Sequence, residues 1–162
     1  MNKPELLVPL NNWKSVNSSL GVLKNADSVY FGLRSKYSMR ARASNFPLDS
    51  IPKLAKLVHD AGKKIFLCTN IVLYDNELGD LQETLQFAKS SEIDAVICHD
   101  IAAMSMAKEI GMPFHISTQC NVSNVKTAKF YTEYGAQRIN LSRELSLEQI
   151  KFIIDEISTP IE

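Results

Sequence analysis

The 162-residue chain lacks a zinc signature, a His-Glu-x-x-His helix, a phosphate loop and a Ser/His/Asp order of catalytic residues. Without Cys-x-x-Cys there is no ligand spacing of the usual structural zinc site. The first predicted turn, VPLNNW, has no glycine-rich stretch to cradle a pyrophosphate, which weakens a dinucleotide-binding reading. Net charge is also absent: 18 Lys and Arg balance 18 Asp and Glu. A general polyanion binder is therefore excluded, and any acidic ligand must be met by a local patch. No apolar run approaches the ~20 residues that span a bilayer. The opening MNKPELLVPL carries charge but no long apolar region and no small-residue cleavage site, so it does not read as a signal peptide. Cys68, Cys98 and Cys120 are odd in number and widely spaced, which gives no disulfide framework. Reduced thiols and a cytoplasmic location with no membrane partner are the expectation.

What is present is globular usage, with 45% hydrophobic and 22% charged residues. The expectation is one domain over residues 1–162. Short apolar runs recur: ELLVP (5–9), SVYFG (28–32), KIFLCT (64–69), DAVICH (94–99), PFHIST (113–118) and QRINLS (137–142). They are rich in Val, Ile, Phe and Tyr and have the length of strands. Between them apolar residues fall three or four apart, as in Ile51-Leu54-Ala55-Val58, Leu81-Leu85-Ala88, Met104-Ala107-Ile110, Val125-Ala128-Tyr131 and Ile150-Ile153-Ile154-Ile157. Asp49-Ser50 with Pro52 opens the second helical segment. Gly62, Gly111 and Gly135 close the second, fourth and fifth. Ser146-Leu147-Glu148-Gln149 has the form of a capping box, and Asp75-Asn76-Glu77 reads as a turn and cap rather than a metal fragment.

Alternation of this kind predicts an α/β fold of parallel (βα) repeats. An open doubly wound sheet and an incomplete TIM-barrel type with about six βα units both fit, the second better. A full barrel needs about 250 residues. Six units alone would leave two edge strands unpaired.

In either arrangement ligands bind where the strands end. Candidate site residues are therefore those that follow each run. The loop RSKYSMRARASNF (34–46) holds Arg34, Lys36, Arg40 and Arg42 and no acid. Arg40 and Arg42, two apart, would fork around a carboxylate or phosphate if extended; the alternative is a solvated basic loop. Asn70 follows the third run. His99-Asp100 follows the fourth, although neighbours on a strand point opposite ways and make a poor dyad. Thr118, Gln119 and Asn121 sit at the end of the fifth, where Gln119 and Asn121 share parity. Arg143-Glu144 follows the sixth, as a site charge with its orienter or as an ion pair at a helix start. His115 reads as a satisfied buried histidine and His59 as a surface one. Cys120 has no evident base. The three cysteines lie near the ends of three neighbouring strands, either as cluster ligands or as small buried fillers.

The strings PELLVPLNNWKSV, DSVYFGL, SMRARASNF, HDAGKKIFLCTNI, DAVICHD, HISTQCNVSN and RINLSRELSLEQI, in this order from residue 4 to about 157, resemble the collagenase-like peptidases of unknown catalytic type. The resemblance implies an N-terminal part of TIM-barrel type. It implies a protease or hydrolase whose catalytic apparatus is not agreed; if the full enzyme is a peptidase, the residues at the strand ends offer Glu144 or Asp100 as general base. Arg40, Arg42, Asn45, Asn70, Thr118, Gln119, Asn121 and Arg143 then form an anion-tolerant substrate site for a peptide. Other members take part in hydroxylation of tRNA or ribosomal RNA bases or of ubiquinone precursors, with an iron–sulfur cluster and prephenate implicated; RNA is then the partner. The third alternative is a non-catalytic module completed by a second polypeptide or a second copy. Two departures stand out. Pro9-Leu10-Asn11 replaces the usual Pro-Ala-Gly. The sequence reaches Thr159-Pro160-Ile161-Glu162 without the Gly-x-x-Cys of a seventh strand, so the chain reads as a fragment of a longer member. A divalent metal or cluster belongs to such a longer protein, and its ligands have no counterparts here.

Overall fold

The computed structural model describes residues 4–18, 20–34, 36–39 and 44–162. Six strands run parallel in the order of the sequence: β1 (Leu7–Pro9), β2 (Ser28–Gly32), β3 (Lys64–Thr69), β4 (Ala95–Cys98), β5 (Phe114–Ile116) and β6 (Arg138–Ile139). Every strand falls inside the apolar run that predicts it. Helices α1 (Trp13–Ser18) and α2 (Leu20–Asn25) fill the first connection. The others are α3 (Ile51–Asp60), α4 (Leu78–Ser90), α5 (Ile101–Glu109), α6 (Val125–Tyr134) and α7 (Leu147–Glu156). Sequential parallel order is what successive right-handed βα units give. Twist then curls the sheet into part of a barrel, as expected for the incomplete TIM-barrel type.

The curl has a direct marker. The Arg138 guanidinium on β6 donates to the carboxylate of Glu5, just before β1. One ion pair thus spans from the first unit to the sixth.

Alternation divides each strand between two environments. Val29, Phe31, Ile65, Leu67, Val96, Cys98, Phe114, Ile116 and Ile139 face the helices and are buried. They pack with Leu54, Val58, Leu81, Leu85, Met104 and Ile153 from the helices into one core. Trp13 and Phe31 each meet the Phe46 ring edge-on, at 5.4 and 5.8 Å between centroids. A second, smaller apolar group of Phe66, Cys68, Ala95 and Ile97, with Leu7 and Tyr30 against it, lines the inside of the curl.

Helix ends follow the sequence signals. Gly62, Gly111 and Gly135 have φ of 69°, 66° and 112°, the left-handed geometry that stops a helix. Ser146 and Gln149 form the reciprocal capping box of α7. Asp75–Glu77 is a single 3-10 turn that leads into α4.

The last residues add to the sheet. Ile161 bridges Ile139 in parallel, Glu162 N–H donates to Ile139 O at 2.9 Å, and Leu141 N–H donates to Glu162 O at 3.1 Å. An isolated parallel bridge thus continues past β6, the last of the six strands. The proline sits at the start of this rung, where it gives a carbonyl to Ile139 N–H and no donor is needed.

Candidate functional site

The carboxyl ends of the strands open on one cavity of about 410 Å³. Its wall is Leu7, Tyr30, Met39, Cys68, Asn70, Ile97, Ser117, Thr118, Gln119, Asn140, Leu141, Arg143 and Glu162. Leu7 of β1 and Glu162 of the rung beside β6 both line it, so the curl brings the first and last elements to one space. Of the residues that the sequence points to, Asn70, Thr118, Gln119 and Arg143 converge here.

Asn70 organises the mouth. Its Oδ1 accepts from Met39 N–H at 3.2 Å, which holds the loop after β2 against the opening. Its Nδ2 donates to Gln119 Oε1 at 3.2 Å, and the Ser117 hydroxyl donates to the same oxygen. The Gln119 amide is thereby oriented with its NH₂ left for a ligand.

Beyond Ile116 the chain leaves strand geometry. Thr118–Cys120 is a 3-10 turn and Asn121 is left-handed, with φ of 49°. Gln119 and Asn121 therefore do not share a face: Gln119 lines the cavity and Asn121 is exposed outside it.

The loop after β2 is tied down at its base. Arg34 N–H donates to Phe46 O at 2.9 Å and Phe46 N–H to Gly32 O at 3.1 Å. Asn45, buried with φ of 42°, donates its amide to Leu33 O at 3.3 Å. It acts as an anchor of the loop and does not line the cavity. Gly32 leaves no room for a side chain, because a Cβ there would lie 2.7 Å from Ser38 Oγ. Lys36 forms an ion pair with Asp80 on α4 at 2.8 Å, and the Tyr37 hydroxyl donates to the same carboxylate. The Lys36 and Tyr37 hydrogen bonds hold the Asp80 carboxyl below its usual range. Burial, then Asp80, raises the Tyr37 phenol. Arg34 Nε donates to Ser44 O at 3.4 Å, so two of the loop's four cations are engaged within the structure. Arg40 and Arg42 lie outside the described residues.

Asp100 caps α5: its Oδ1 accepts from Ala102 N–H at 2.9 Å and its Oδ2 from Leu73 N–H at 3.3 Å. Glu144 is exposed and accepts from the Ser142 hydroxyl, whose hydrogen bond holds its carboxyl below the usual range. Neither carboxylate lines the cavity, whereas the neighbouring Arg143 does.

The cysteines separate by strand parity. Cys68 faces the cavity. Cys98 faces the helical core, where burial pushes its thiol up to about 12. Cys120 lies beside Tyr131 with its Sγ 3.4 Å from His99 O and 4.0 Å from His99 Nδ1. Burial raises this thiol too, so it stays protonated beside the imidazole. Sequence reasoning missed this pairing because no motif links the two positions; only the adjacency of β4 and β5 brings them together. Among the described residues no three His, Cys, Asp or Glu side chains converge as ligands, so the three thiols do not fit a metal or an iron–sulfur cluster.

Below the cavity wall the same inner face continues about 7 Å deeper with Phe66, His115 and Arg138, each two residues before Cys68, Ser117 and Asn140. His115 is buried, as the sequence indicates, and its ring meets Phe66 edge-on at 4.6 Å. It is not satisfied, however: its Nδ1 has no hydrogen-bond partner among the described residues. Burial, helped by the Arg138 charge, lowers its pKa to about 4. Glu5 is held below the carboxylate norm: burial would raise it, but the Arg138 hydrogen bond and charge prevail.

A curled parallel sheet with its polar cavity at the strand ends defines a TIM-barrel-type α/β protein. Residues 12–162 match the family described as Peptidase family U32, and the chain belongs to that family. It is 45% identical over 153 residues to an uncharacterized protease of Methanocaldococcus jannaschii, covering 94% of this chain and 37% of the relative. It is 36% identical over 158 residues to a collagenase of Porphyromonas gingivalis, covering 97% and 37%. To the tRNA hydroxylation protein P of Escherichia coli it is 33% identical over 159 residues, covering 97% and 34%. The chain thus spans about a third of the length of these curated relatives. The solved U32 peptidase Mk0906 superposes with a TM-score of 0.77 at 14% identity, over 99% of this chain and 69% of that one. That likeness carries the fold.

Proposed function

We propose that residues 1–162 are the N-terminal barrel-type domain of a longer U32-family enzyme and supply its substrate-binding mouth. The supporting observation is the convergence of Asn70, Gln119, Asn140 and Arg143 on one cavity at the strand ends. Neutral amides orient a ligand by hydrogen bonds, and an arginine takes a carboxylate or phosphate. The leading reading is a cytoplasmic hydrolase that acts on peptides, in line with the relatives named protease and collagenase. In it Thr118 extends the anion-tolerant mouth, and the general base, Glu144 or Asp100, acts from outside the described cavity wall. A preparation of the longer protein that never cleaves gelatin or peptides, with or without divalent metal, removes that reading.

The second reading is hydroxylation of RNA or a quinone precursor. It is favoured by relatives named for tRNA hydroxylation and for synthesis of 5-hydroxycytidine in 23S rRNA. It predicts iron and labile sulfide in the longer protein, on ligands outside these 162 residues. A colourless, iron-free protein purified without oxygen contradicts it. The third reading is a module that a second copy or another polypeptide completes along the Pro160–Glu162 rung; a monodisperse monomer by light scattering speaks against it.

The mouth itself is tested on this chain by NMR of the side-chain amides of Asn70, Gln119 and Asn140. An acidic peptide or a short single-stranded RNA should shift them, and Arg143→Ala should abolish the shifts. Shifts confined to the α6 and α7 surface would contradict the proposal.

A further inference from the structure

Glu162 is the one carboxylate in the described wall of the cavity. Neither strand pattern nor motif draws attention to it. Its backbone is fixed by the rung on β6, through the bonds to Ile139 and Leu141 already described. Its Oε2 lies 3.9 Å from Arg138 Nη1, and Arg138 in turn donates to Glu5. Two carboxylates therefore share one guanidinium, and the sharing is unequal. Glu5 holds the direct hydrogen bond; Glu162 holds only the longer contact and faces the cavity.

We infer that Glu162 is a proton-exchanging acid of this cavity, with Arg138 and Glu5 as its positioning groups. The inference rests on the substrate-binding reading of the same site and assigns its acid–base group. In the forward direction the proton leaves the Glu162 carboxyl for an acceptor atom of the bound ligand. The carboxylate that remains is met by Arg138. In reverse the carboxylate takes a proton from the ligand, and no other reactant is needed.

The environment suits that role. Glu162 keeps 35% of its side chain exposed; the partial burial that remains raises its carboxyl above its usual range, Arg138 opposes this and the Glu5 charge adds to it. Glu5 is shifted the opposite way. Paired carboxylates driven apart in this manner divide into a fixed anion and a group that can carry a proton. The charged and titratable groups on the inner face with the pair are Arg138 on β6, His115 on β5, Lys64 and Cys68 on β3, Tyr30 on β2 and, at the rim, Arg143. His115 is neutral near pH 7, so it neither competes for Arg138 nor adds charge to the floor.

The test is a ¹³C NMR titration of the glutamate side-chain carboxyls in this chain, with sulfate as a non-titrating anionic probe. We expect one carboxyl to titrate above the usual glutamate range, to vanish from the spectrum in Glu162→Gln, and to titrate lower in Glu5→Gln, where Arg138 is released to it. Sulfate affinity should fall about five-fold between about pH 5 and about pH 8 as Glu162 gains its charge, and stay flat in Glu162→Gln. A Glu162 carboxyl that titrates in the ordinary range overturns the inference. So does a sulfate profile identical in wild type and Glu162→Gln. If Glu162 titrates high and sulfate does not bind at all, the acid stands and the anion-binding reading of the cavity falls.

Discussion

The two faces of the same six strands differ in kind. Toward the helices stand Val, Ile, Leu and Phe, with Cys98 and the buried Thr69 beside it the least apolar. Toward the inside stand Tyr30, Cys68, His115, Ser117, Arg138 and Asn140 among only a few aliphatic residues. The outer face removes apolar surface from water and carries stability. The inner face spends burial on polar groups that contribute little to folding and much to recognition. A (βα) architecture allows this because each strand end is free of the core that holds the strand in place.

Mutations that separate the faces should rank accordingly. Leu67→Ala empties a fully buried outer-face site and should cost about 2–5 kcal/mol in urea unfolding. An effect below about 1 kcal/mol would mean that the helical face is not the stabilising one.

Next in size is a pH effect from the inner face. His115 has a folded pKa of about 4 against an ordinary value of 6.5. Above about pH 6.5 the imidazole is neutral in both folded and unfolded chains, and its contribution is complete. As pH falls from there towards 4, the unfolded chain binds a proton that the folded chain refuses. Stability should then drop by up to about 1.4 kcal/mol per pH unit from this group. Urea midpoints at about pH 7 and about pH 5 in wild type and His115→Leu measure it. The wild type should lose more than the variant; equal losses would mean that His115 is not protected from protonation.

Ser146→Ala breaks the capping box of α7, whose residues do not line the cavity, and should cost about 1 kcal/mol. Ligand-induced shifts at Asn70 and Gln119 should be untouched in that variant.

The outer face was almost fully legible in the sequence, because apolar periodicity reports the face that meets the core. All six strands, the capping box and the three left-handed glycines lie where the pattern puts them. The cavity was legible only in part. Asn70, Thr118, Gln119 and Arg143 follow from the rule that strand ends meet the ligand. Parity failed at Asn121 because a 3-10 turn replaces the strand after Ile116. The 2-residue β6 hid Asn140, which continues the inner face just past its end. Glu162 was invisible because Ser-Thr-Pro-Ile-Glu carries no strand signature; only the bridge to β6 brings it to the cavity. Long-range neighbours such as Lys36 with Asp80, or Cys120 with His99, depend on the order of the sheet and leave no local mark.

The division between faces meets its most direct test in Arg143→Ala. Arg143 lines the mouth and enters no core contact, so its loss should change stability by no more than about 0.5 kcal/mol. The deciding measurement is the side-chain amide spectrum of Asn70, Gln119 and Asn140 during a sulfate titration of wild type and variant at about pH 5. The account predicts that the three amides move together in the wild type and stay still in Arg143→Ala. Amides that move equally in both proteins, or in neither, would contradict it.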